Sequence, residues 1–459
     1  MVGPTDPQRL NDIEHWDRTR VWHAFTQMQT YQPFVIHEAE GCYLTDIHGK
    51  RYLDAESSLW CNVHGHRHPE LDQAIRDQLD RVSHVTLLGM SCDTTVELAA
   101  RLTDIAPAPL NHVFFSSDGA CANEVAMKMA YQYWRHVQPE SRRHKFLCFD
   151  AAYHGDTIGT VSVGGVDRFN AIFAPLLLET VKGPIPDTYR RPEDVTAEGA
   201  LGFYLETTEQ LLKEHQHEIA ACIIEPLIQC AAGIVTHPPG FLKGLEKLCR
   251  KYDILLIADE IAVGFGRTGT LFACEQEEVE PDFLCLGKGL TAGYLPMSAT
   301  LTQSRIWEAF LGTTAENNAF FHGHTYGGNP LAAAVALRNL DLFADPDVLA
   351  RVNEAEQFLV KLLEPLHQHP HVGDIRHRGL IFGIELVEDR KSKKRFPWQE
   401  RMGYRICEYA TEHGVWLRPL EDTVVIMPPL VITNPQLETA AKVLIEAIQA
   451  ITGVTVDQK

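Results

Sequence analysis

Short apolar runs alternate with longer amphipathic stretches through the middle of the chain. The runs lie at residues 113–115, 146–149, 220–224, 254–258 and 283–287. Apolar runs without polar alternation are typical of strands covered on both faces, and their alternation with helices indicates βαβ units. The pattern therefore predicts an α/β domain with a mainly parallel sheet.

The two ends of the chain follow other patterns. A His48-Gly49 turn near the start predicts a hairpin, and short strands mix with helices from Val372 onward, which indicates a smaller α+β domain. The predicted elements of that domain are strands at 379–386 and 424–427 and helices at 398–413 and 435–451. We therefore predict an N-terminal segment that packs with the small domain, a large domain and a small domain, at residues 1–69, 70–330 and 331–459.

Two of the predicted strands end in charged residues, Asp259 and Lys288. Because ligands bind beyond the carboxyl ends of parallel strands, we expect both side chains to face one site. A lysine in this place either extends to water or is consumed chemically, for example as a Schiff base with an aldehyde. Pyridoxal phosphate is the usual aldehyde, and its ring nitrogen needs a carboxylate such as Asp259 to stay protonated.

Further candidate residues follow two other strands. A turn of small residues at 116–124 opens a helix that we expect to reach about Trp134, and such a turn either binds phosphate or merely caps the helix. Tyr153, after the strand at 146–149, is an aromatic residue that can cover one face of a flat cofactor, while Ile261 packs on the other.

Composition and charge exclude several classes of function. The 459 residues carry a formal net charge of −20 and no long basic run, which disfavours nucleic acid and anionic membranes as partners. No apolar run reaches transmembrane length, and the first residues do not form a signal peptide, so we expect a cytoplasmic protein. The 11 cysteines include no C-x-x-C pair and are expected to be reduced.

Three histidines at alternate positions, His64, His66 and His68, allow a metal site as one interpretation. The stretch is rich in Gly and Pro and lacks carboxylates at ligand spacing. We therefore favour a loop that leads into a helix at 70–81, and we predict no metal site.

Several motifs, taken together and in order, closely resemble those of the class III, or omega, aminotransferases. They are Glu225-Pro226, Ala258-Asp259-Glu260-Ile261, Gly264-Phe265-Gly266-Arg267-Thr268-Gly269, Leu286-Gly287-Lys288-Gly289 and His322-Gly323-His324-Thr325-Tyr326-Gly327-Gly328-Asn329-Pro330. The resemblance extends from Trp22 to about Ile451. It implies the fold-type-I architecture, a homodimer with active sites at the subunit interface, and pyridoxal phosphate bound to Lys288.

The resemblance also implies roles for individual residues. Asp259 would contact the pyridine nitrogen, Tyr153 would cover the ring, and Thr325 of the partner subunit would reach the phosphate. The implied catalytic residues are Lys288, Asp259 and Tyr153. The implied cofactor-binding residues are Gly119, Ala120, Tyr153, His154, Glu225, Asp259, Ile261, Lys288, His324 and Thr325.

Within the class, other segments resemble the biotin-pathway enzymes that convert 8-amino-7-oxononanoate to 7,8-diaminononanoate. These segments are 22–28, 57–60, 152–159, 293–296 and 416–419. Phe25 and Val425 depart from the pattern of the adenosylmethionine-using enzymes, where tyrosine is common. Adenosylmethionine, lysine and other amines therefore remain open as amino donors.

We predict a ping-pong transamination in which Lys288 forms the Schiff base and then moves the proton. Arg418 would bind the distal carboxylate of the acceptor, because its planar guanidinium pairs bidentately. A surface salt bridge is the alternative role for Arg418. Phe25, Leu59 and Trp60 would form the apolar wall beside the acceptor chain.

Two other functions compete with this interpretation. The nearer one is a broad omega-amine:pyruvate aminotransferase that uses the same lysine. The other is a ligand sensor without catalysis, like the aminotransferase-like modules fused to DNA-binding domains. The sequence has no basic helix and no room for such a fusion before Trp22, which disfavours the sensor.

Overall fold

The computed structural model of the protein describes residues 6–455. The chain begins with a helix, a hairpin-rich region and a short helical turn. These elements are α1 (Pro7–Arg20), β1 (Ile36–Glu40), β2 (Tyr43–Asp46), β3 (Arg51–Asp54) and α2 (Ser57–Trp60). The hairpin predicted around His48-Gly49 is confirmed, since β2 and β3 pair antiparallel.

The middle of the chain alternates helices and strands. Its elements are α3 (Pro69–Leu79), α4 (Asp93–Ile105), β4 (Leu110–Ser116), α5 (Gly119–Val137), β5 (Lys145–Phe149), α6 (Ile158–Val163), α7 (Asp167–Asn170), β6 (Val181–Gly183), α8 (Ala200–His215), β7 (Ile219–Ile224), β8 (Ile228–Gln229), β9 (Val235–Thr236), α9 (Phe241–Lys251), β10 (Leu255–Asp259), β11 (Phe283–Leu286), β12 (Ser298–Gln303) and α10 (Ser304–Glu308).

The last part of the chain mixes four helices with five short strands among the described residues. They are α11 (Pro330–Phe343), α12 (Pro346–Leu363), β13 (Val372–Arg378), β14 (Ile381–Leu386), α13 (Met402–Glu412), β15 (Val415–Trp416), β16 (Arg418–Leu420), β17 (Thr423–Ile426) and α14 (Asn434–Thr452). The helix expected at 398–413 is shorter, because Arg401 has a left-handed φ of 49° that separates α13 from a short 3-10 turn.

A seven-stranded sheet forms the centre of the molecule, in the order β4-β12-β11-β10-β7-β5-β6. Only β12 runs antiparallel to its neighbours, so the predicted α/β fold with a mainly parallel sheet is confirmed. Every residue of β7, β10 and β11 is buried. Burial on both faces explains why these strands appear in the sequence as uninterrupted apolar runs.

The register of the central strands brings the two charged residues to one edge. Asp259, the last residue of β10, pairs with Cys285 on the parallel strand β11. Lys288 follows Cys285 by three residues on that same strand's continuation. Because parallel strands end at the same edge of a sheet, Asp259 and Lys288 lie beyond neighbouring strand ends.

One of the two four-stranded sheets joins the two ends of the chain. The sheet β1-β2-β3-β15 joins the N-terminal hairpin to Val415–Trp416, and the antiparallel sheet β13-β14-β17-β16 lies in the C-terminal part. The segment before residue 70 therefore shares a sheet with a strand from beyond residue 331. The boundaries at 69/70 and 330/331 stay a prediction.

Two further findings concern the whole described chain. None of the helices within residues 6–455 is both long and apolar enough to cross a bilayer. All eleven cysteines are free thiols, and nine of them are buried. They contribute to the core as small apolar side chains.

Gly379 and Gly41 offer a matched test of close packing. Both have left-handed φ angles, +54° and +57°, but a Cβ at Gly379 would lie 2.3 Å from the Arg267 carbonyl oxygen, whereas a Cβ at Gly41 meets nothing within 4 Å. We expect Gly41→Ala to cost about 1 kcal/mol from its backbone conformation alone, and Gly379→Ala to cost at least ~3 kcal/mol because backbone must also move. Urea unfolding of both variants measures the difference, and equal losses would contradict the packing argument.

Candidate active site

Asp259 is held at the end of β10 by donors from three parts of the chain. Its side chain is buried and accepts hydrogen bonds from Asn123 Nδ2 at 2.8 Å, His154 Nδ1 at 2.7 Å and the Ile261 backbone N–H at 3.1 Å. Asn123 Nδ2 also donates to the His154 carbonyl at 3.1 Å. Three donors fix the direction of the carboxylate before any ligand binds.

Lys288 begins a 3-10 turn, Lys288–Thr291, directly after the strand β11. It has a left-handed φ of 39°, which is unusual for a residue with a side chain. Its Nζ lies 5.4 Å from the centroid of the Trp60 ring. Within residues 6–455 no carboxylate lies close enough to form an ion pair with this amine.

The buried thiol of Cys230 lies near three candidate residues, Glu225, Asp259 and Lys288. Burial raises the pKa of the Cys230 thiol well above its ordinary value, the negative charges of Glu225 and Asp259 raise it further, and the positive charge of Lys288 opposes them. The charges of all three groups therefore affect the pKa of one buried thiol. The predicted grouping of Lys288, Asp259 and Glu225 is present in the fold.

Close glycine contacts shape the surface beside Asp259. A Cβ at Gly119 would lie 2.8 Å from Ile261 Cγ2, and a Cβ at Gly155 would lie 2.3 Å from the Cβ of Ala120. The N-terminus of α5 therefore packs against Ile261 on one side and against the loop after β5 on the other. Gly119 and Ala120 form the first turn of this 19-residue helix, where the helix dipole favours an anion.

Tyr153 and Glu225 are joined by a hydrogen bond. The Tyr153 backbone N–H donates to Glu225 Oε1 at 3.1 Å, and the Cys230 N–H donates to Oε2 at 2.9 Å. Burial raises the pKa of Glu225 to about 7, with His154 opposing and Asp259 adding to the shift. The Tyr153 hydroxyl donates to Asp156 at 2.5 Å. The pKa of Tyr153 is raised, mainly by burial and next by this hydrogen bond.

The residues present fit pyridoxal phosphate. The start of α5 suits the phosphate, the oriented Asp259 suits the ring nitrogen, and the amine of Lys288 suits the aldehyde. His154 Nε2 is buried and has no hydrogen-bond partner among the described residues, so this site keeps an unused polar atom beside Asp259. The arrangement can hold a planar, phosphorylated, electron-withdrawing ring next to a free amine.

Trp60 belongs to a strained turn beside Lys288. Ser57, Ser58 and Trp60 have φ angles of 43°, 63° and 63°, and the Trp60 indole donates to Glu56 Oε2 at 3.0 Å. The buried guanidinium of Arg267 donates to Ser57 Oγ at 2.6 Å. Left-handed non-glycine residues persist only when their surroundings determine them, and these bonds supply that constraint.

The other predicted wall residues are more exposed in the protomer. Phe25 is 62% exposed and Leu59 is 47% exposed. The Phe25 ring lies 5.0 Å from that of Phe169, which in turn lies 6.2 Å from that of Tyr153. The structure thus connects Phe25 to the site through Phe169, while Leu59 faces outward from the strained turn.

Arg418 begins β16 and is half-buried. Its charge reaches the fully buried Glu56, where burial raises the pKa of the carboxyl well above its ordinary value and Arg418 opposes that shift. No ion pair within 4.0 Å involves Arg418 in the described part of the chain, so the alternative of a salt bridge is not observed there. Arg418 therefore has a guanidinium that a ligand carboxylate can use.

His324 and Thr325 are exposed on the loop between α10 and α11. The imidazole of His324 contacts that of His322, with 5.1 Å between ring centroids, and Thr325 is exposed. Their assignment to a partner's site stays a prediction.

The alternating histidines have separate surroundings. His66 Nε2 bonds Asp54 Oδ2 at 2.8 Å, whereas the His64 ring packs 4.8 Å from that of Phe343. In the part of the chain that the structure describes, no group of three or more potential ligands could hold a metal ion.

Comparison with known proteins identifies the family. The profile of the family Aminotransferase class-III matches residues 25–448. The chain belongs to the class-III aminotransferases. The resemblance seen in the sequence is thereby confirmed, and the protein is an enzyme that transfers amino groups.

Curated relatives and solved structures support this aminotransferase assignment. The chain is 49% identical to the adenosylmethionine-8-amino-7-oxononanoate aminotransferase of Nitratidesulfovibrio vulgaris, over 98% of this chain and 84% of the relative, and 48% identical to that of Geobacter sulfurreducens, over 98% and 99%. The crystal structure of the Methanocaldococcus jannaschii enzyme of the same name is similar, with a TM-score of 0.91 at 40% identity over 96% of this chain and 99% of that chain. The omega transaminase from Pseudomonas jessenii in complex with PMP gives 0.92 at 31% identity over 96% and 98%.

Several residues of the aminotransferase site were not predicted from the sequence. Asn123 orients Asp259, Glu56 bonds the Trp60 indole, and Arg267 holds the strained turn. Only Asn123 had a usable signal, because it follows Gly119 by four residues and so shares its helix face. The partner of Arg267, Ser57, is distant in sequence, and Glu56 meets Trp60 across an irregular turn.

The raised pKa of Glu225 predicts a pH-dependent stability. Its folded-state value of about 7, against an ordinary 4.5, means that the folded protein retains a proton that the unfolded chain releases, so stability falls as the pH rises from about 4.5 to 7. We expect Glu225→Gln to lose less stability than the wild type between about pH 5 and pH 8, by on the order of 3 kcal/mol. Urea unfolding without added cofactor, at both pH values, measures this.

Glu260, whose pKa burial also raises to about 7, titrates in both proteins and cancels in the comparison. Identical pH slopes for the two proteins would show that Glu225 does not carry the shift.

Proposed function

We propose that this aminotransferase transfers an amino group to 8-amino-7-oxononanoate, giving 7,8-diaminononanoate in biotin biosynthesis. The observation that carries this proposal is the near-full-length identity of 45–49% to five curated relatives named adenosylmethionine-8-amino-7-oxononanoate aminotransferase. The fold cannot carry it, because structures of omega transaminases match with the same TM-scores of 0.91–0.92.

Pyridoxal phosphate is the cofactor that we propose for the site. When bound, it supplies an aldehyde for the amine and an electron-withdrawing ring for the carbanion. Gly119 and Ala120 would hold the phosphate, Ile261 and Tyr153 would enclose the ring, and Asp259 would keep the ring nitrogen protonated. The three hydrogen bonds on Asp259 orient it for that contact.

Lys288 would have two roles in the reaction. Its Nζ would hold the cofactor until the amino donor displaces it, and in both half-reactions it would move a proton between the substrate carbon and C4′ of the cofactor. An amine without an ion-pair partner nearby is free for both tasks. The Trp60 ring beside Nζ excludes water from one side of this path.

Arg418 would bind the distal carboxylate of the acceptor. Its guanidinium has no carboxylate partner within 4.0 Å among the described residues, and a planar fork suits a carboxylate. The acceptor's apolar chain would then lie along Trp60 and Phe25. Val425, which pairs with Arg418 across the strands β16 and β17, lies beside this region.

A homodimer would complete each site with Thr325 of the partner subunit. In support, the loop that carries Thr325 and the segment 87–90 both expose apolar side chains: Leu87, Leu88, Met90, Phe321 and Tyr326. Gly328 packs against Leu87, since a Cβ there would lie 2.6 Å from Leu87 Cδ1, so part of this set is contiguous. An apolar patch of this kind on one protomer favours an interface. The eleven free thiols support a cytoplasmic location.

A substrate panel tests the proposed function. With 8-amino-7-oxononanoate as acceptor and adenosylmethionine or lysine as donor, we expect kcat/KM to exceed that for pyruvate with simple amines by at least about 100-fold, the discrimination that a dedicated carboxylate site can supply. Faster turnover of pyruvate would instead favour the omega-amine:pyruvate function. Lys288→Ala should lose all turnover, and borohydride should then fix no cofactor to the protein.

Arg418→Leu tests the carboxylate site. Losing a charged, bidentate pair should raise KM for 8-amino-7-oxononanoate by about 10- to 100-fold, while KM for the amino donor changes less than about twofold. Arg395→Leu is the control, since Arg395 is an exposed arginine of the same region that pairs with Glu421 at 3.0 Å. Equal effects of both variants would argue against a specific role for Arg418.

Leu88→Glu tests the dimer. Leu88 is 87% exposed in the protomer, and a charge there should favour separated subunits and weaken cofactor retention. Trp398→Glu, at a 70% exposed aromatic outside this patch, is the control. Light scattering should give twice the chain mass for the wild type and the control. A wild-type monomer with full activity would refute the interface.

A further inference from the structure

A buried amide on α11 grips the turn that carries Lys288. Asn339 is fully buried, and its Nδ2 donates to the Gly289 carbonyl at 2.9 Å and to the Leu290 carbonyl at 3.0 Å. These carbonyls belong to the two residues directly after Lys288. Both amide hydrogens of Asn339 are thus used on the backbone of one short turn.

The turn needs an external constraint. Lys288 and Ala292 both have left-handed φ angles, 39° and 51°, and the turn's own hydrogen bonds are Leu290 N to Gly287 O at 2.8 Å and Ala292 N to Gly289 O at 3.0 Å. Two internal bonds across five residues do not fix a strained backbone. Asn339, on the helix α11, adds two more hydrogen bonds to the turn, which gives four in total.

His64 lies beside the Asn339 amide and is neutral near pH 7. Burial, and then the nearby His68, lower the pKa of His64 to about 4, while the amide of Asn339 acts in the opposite direction. The imidazole is therefore neutral near pH 7. His64 Nε2 and Asn339 Oδ1 are both buried, and neither has a hydrogen-bond partner among the described residues.

We propose that Asn339 is a positioning residue for Lys288. The inference rests on the proposed function, in which the amino donor would release Lys288 from the cofactor in the first half-reaction and Lys288 would stay free until the second half-reaction ends. Once that covalent bond is broken, only the backbone turn keeps Nζ within reach of the carbon atoms between which it moves a proton. The hydrogen bonds from Asn339 to the carbonyls of residues 289 and 290 then restrict the movement of the lysine.

Asn339→Leu tests the grip in the holoenzyme, with Gln303→Leu as the matched control. Gln303 is also a buried amide, and it donates to the Pro281 carbonyl at 3.0 Å near the other end of the sheet. For Asn339→Leu we expect the single-turnover rate with the amino donor to fall on the order of 10- to 100-fold with its KM within about twofold. Amide hydrogen exchange in residues 288–292 should accelerate by about tenfold or more, and the pH midpoint of the Lys288–cofactor absorbance should shift.

The control should lose thermal stability without these three changes. Asn339→Leu with wild-type exchange, absorbance and rate would overturn the proposal, and so would equal changes in both variants. If Asn339→Leu does not fold, Asn339→Asp decides, because a carboxyl group has nearly the size of the amide but lacks the two N–H donors that bond the turn. Faster exchange at 288–292 then supports the proposal, and unchanged exchange overturns it. A wild type without cofactor absorbance refutes the proposed function, whereas exchange still reports on the grip.

Discussion

The hydrogen-bonded carboxylate of Asp259 ties together the elements on which the site depends. Asn123 reaches it from α5, His154 reaches it from the loop after β5, and its own strand β10 lies between β7 and β11. These donors meet because parallel strands end at one edge, where loops from several strands converge. Moving any of these elements would leave a buried carboxylate or a buried donor unpaired, which is costly in a dry interior.

Strained backbone near the lysine is a second common feature. The turn from Ser57 to Trp60 and the turn at Lys288 both contain left-handed residues with side chains. Each is held by a buried polar side chain from a distant part of the sequence, Arg267 in the first case and Asn339 in the second. Such strain survives only where surrounding contacts determine it, and here those contacts lie on both sides of the Lys288 amine.

The protomer carries only part of the chemistry that the family implies. Lys288 and Asp259 lie together in one chain, whereas Thr325 is on a loop that exposes apolar side chains. The fold does not determine substrate choice either, because solved structures of transaminases with different names match this chain with nearly equal TM-scores. In the function that we propose, the choice would rest on side chains around Trp60 and Arg418, whose guanidinium has no ion-pair partner among the described residues.

The order of apolar runs determined the parallel sheet, and the charges at the ends of two runs identified Asp259 and Lys288, because burial and strand polarity are local properties of the sequence. Motif order identified the family. The start of α13 after Arg401 and the strained turn at Ser57 were not predicted. Left-handed backbone in non-glycine residues depends on tertiary contacts. The roles of Glu56, Arg267 and Asn339 became visible only in three dimensions, whereas Asn123 had a sequence signal because it shares a helix face with Gly119. The hydrogen bonds of Arg267 and Asn339 join residues 210 and 50 positions apart, and no sequence period records such distances.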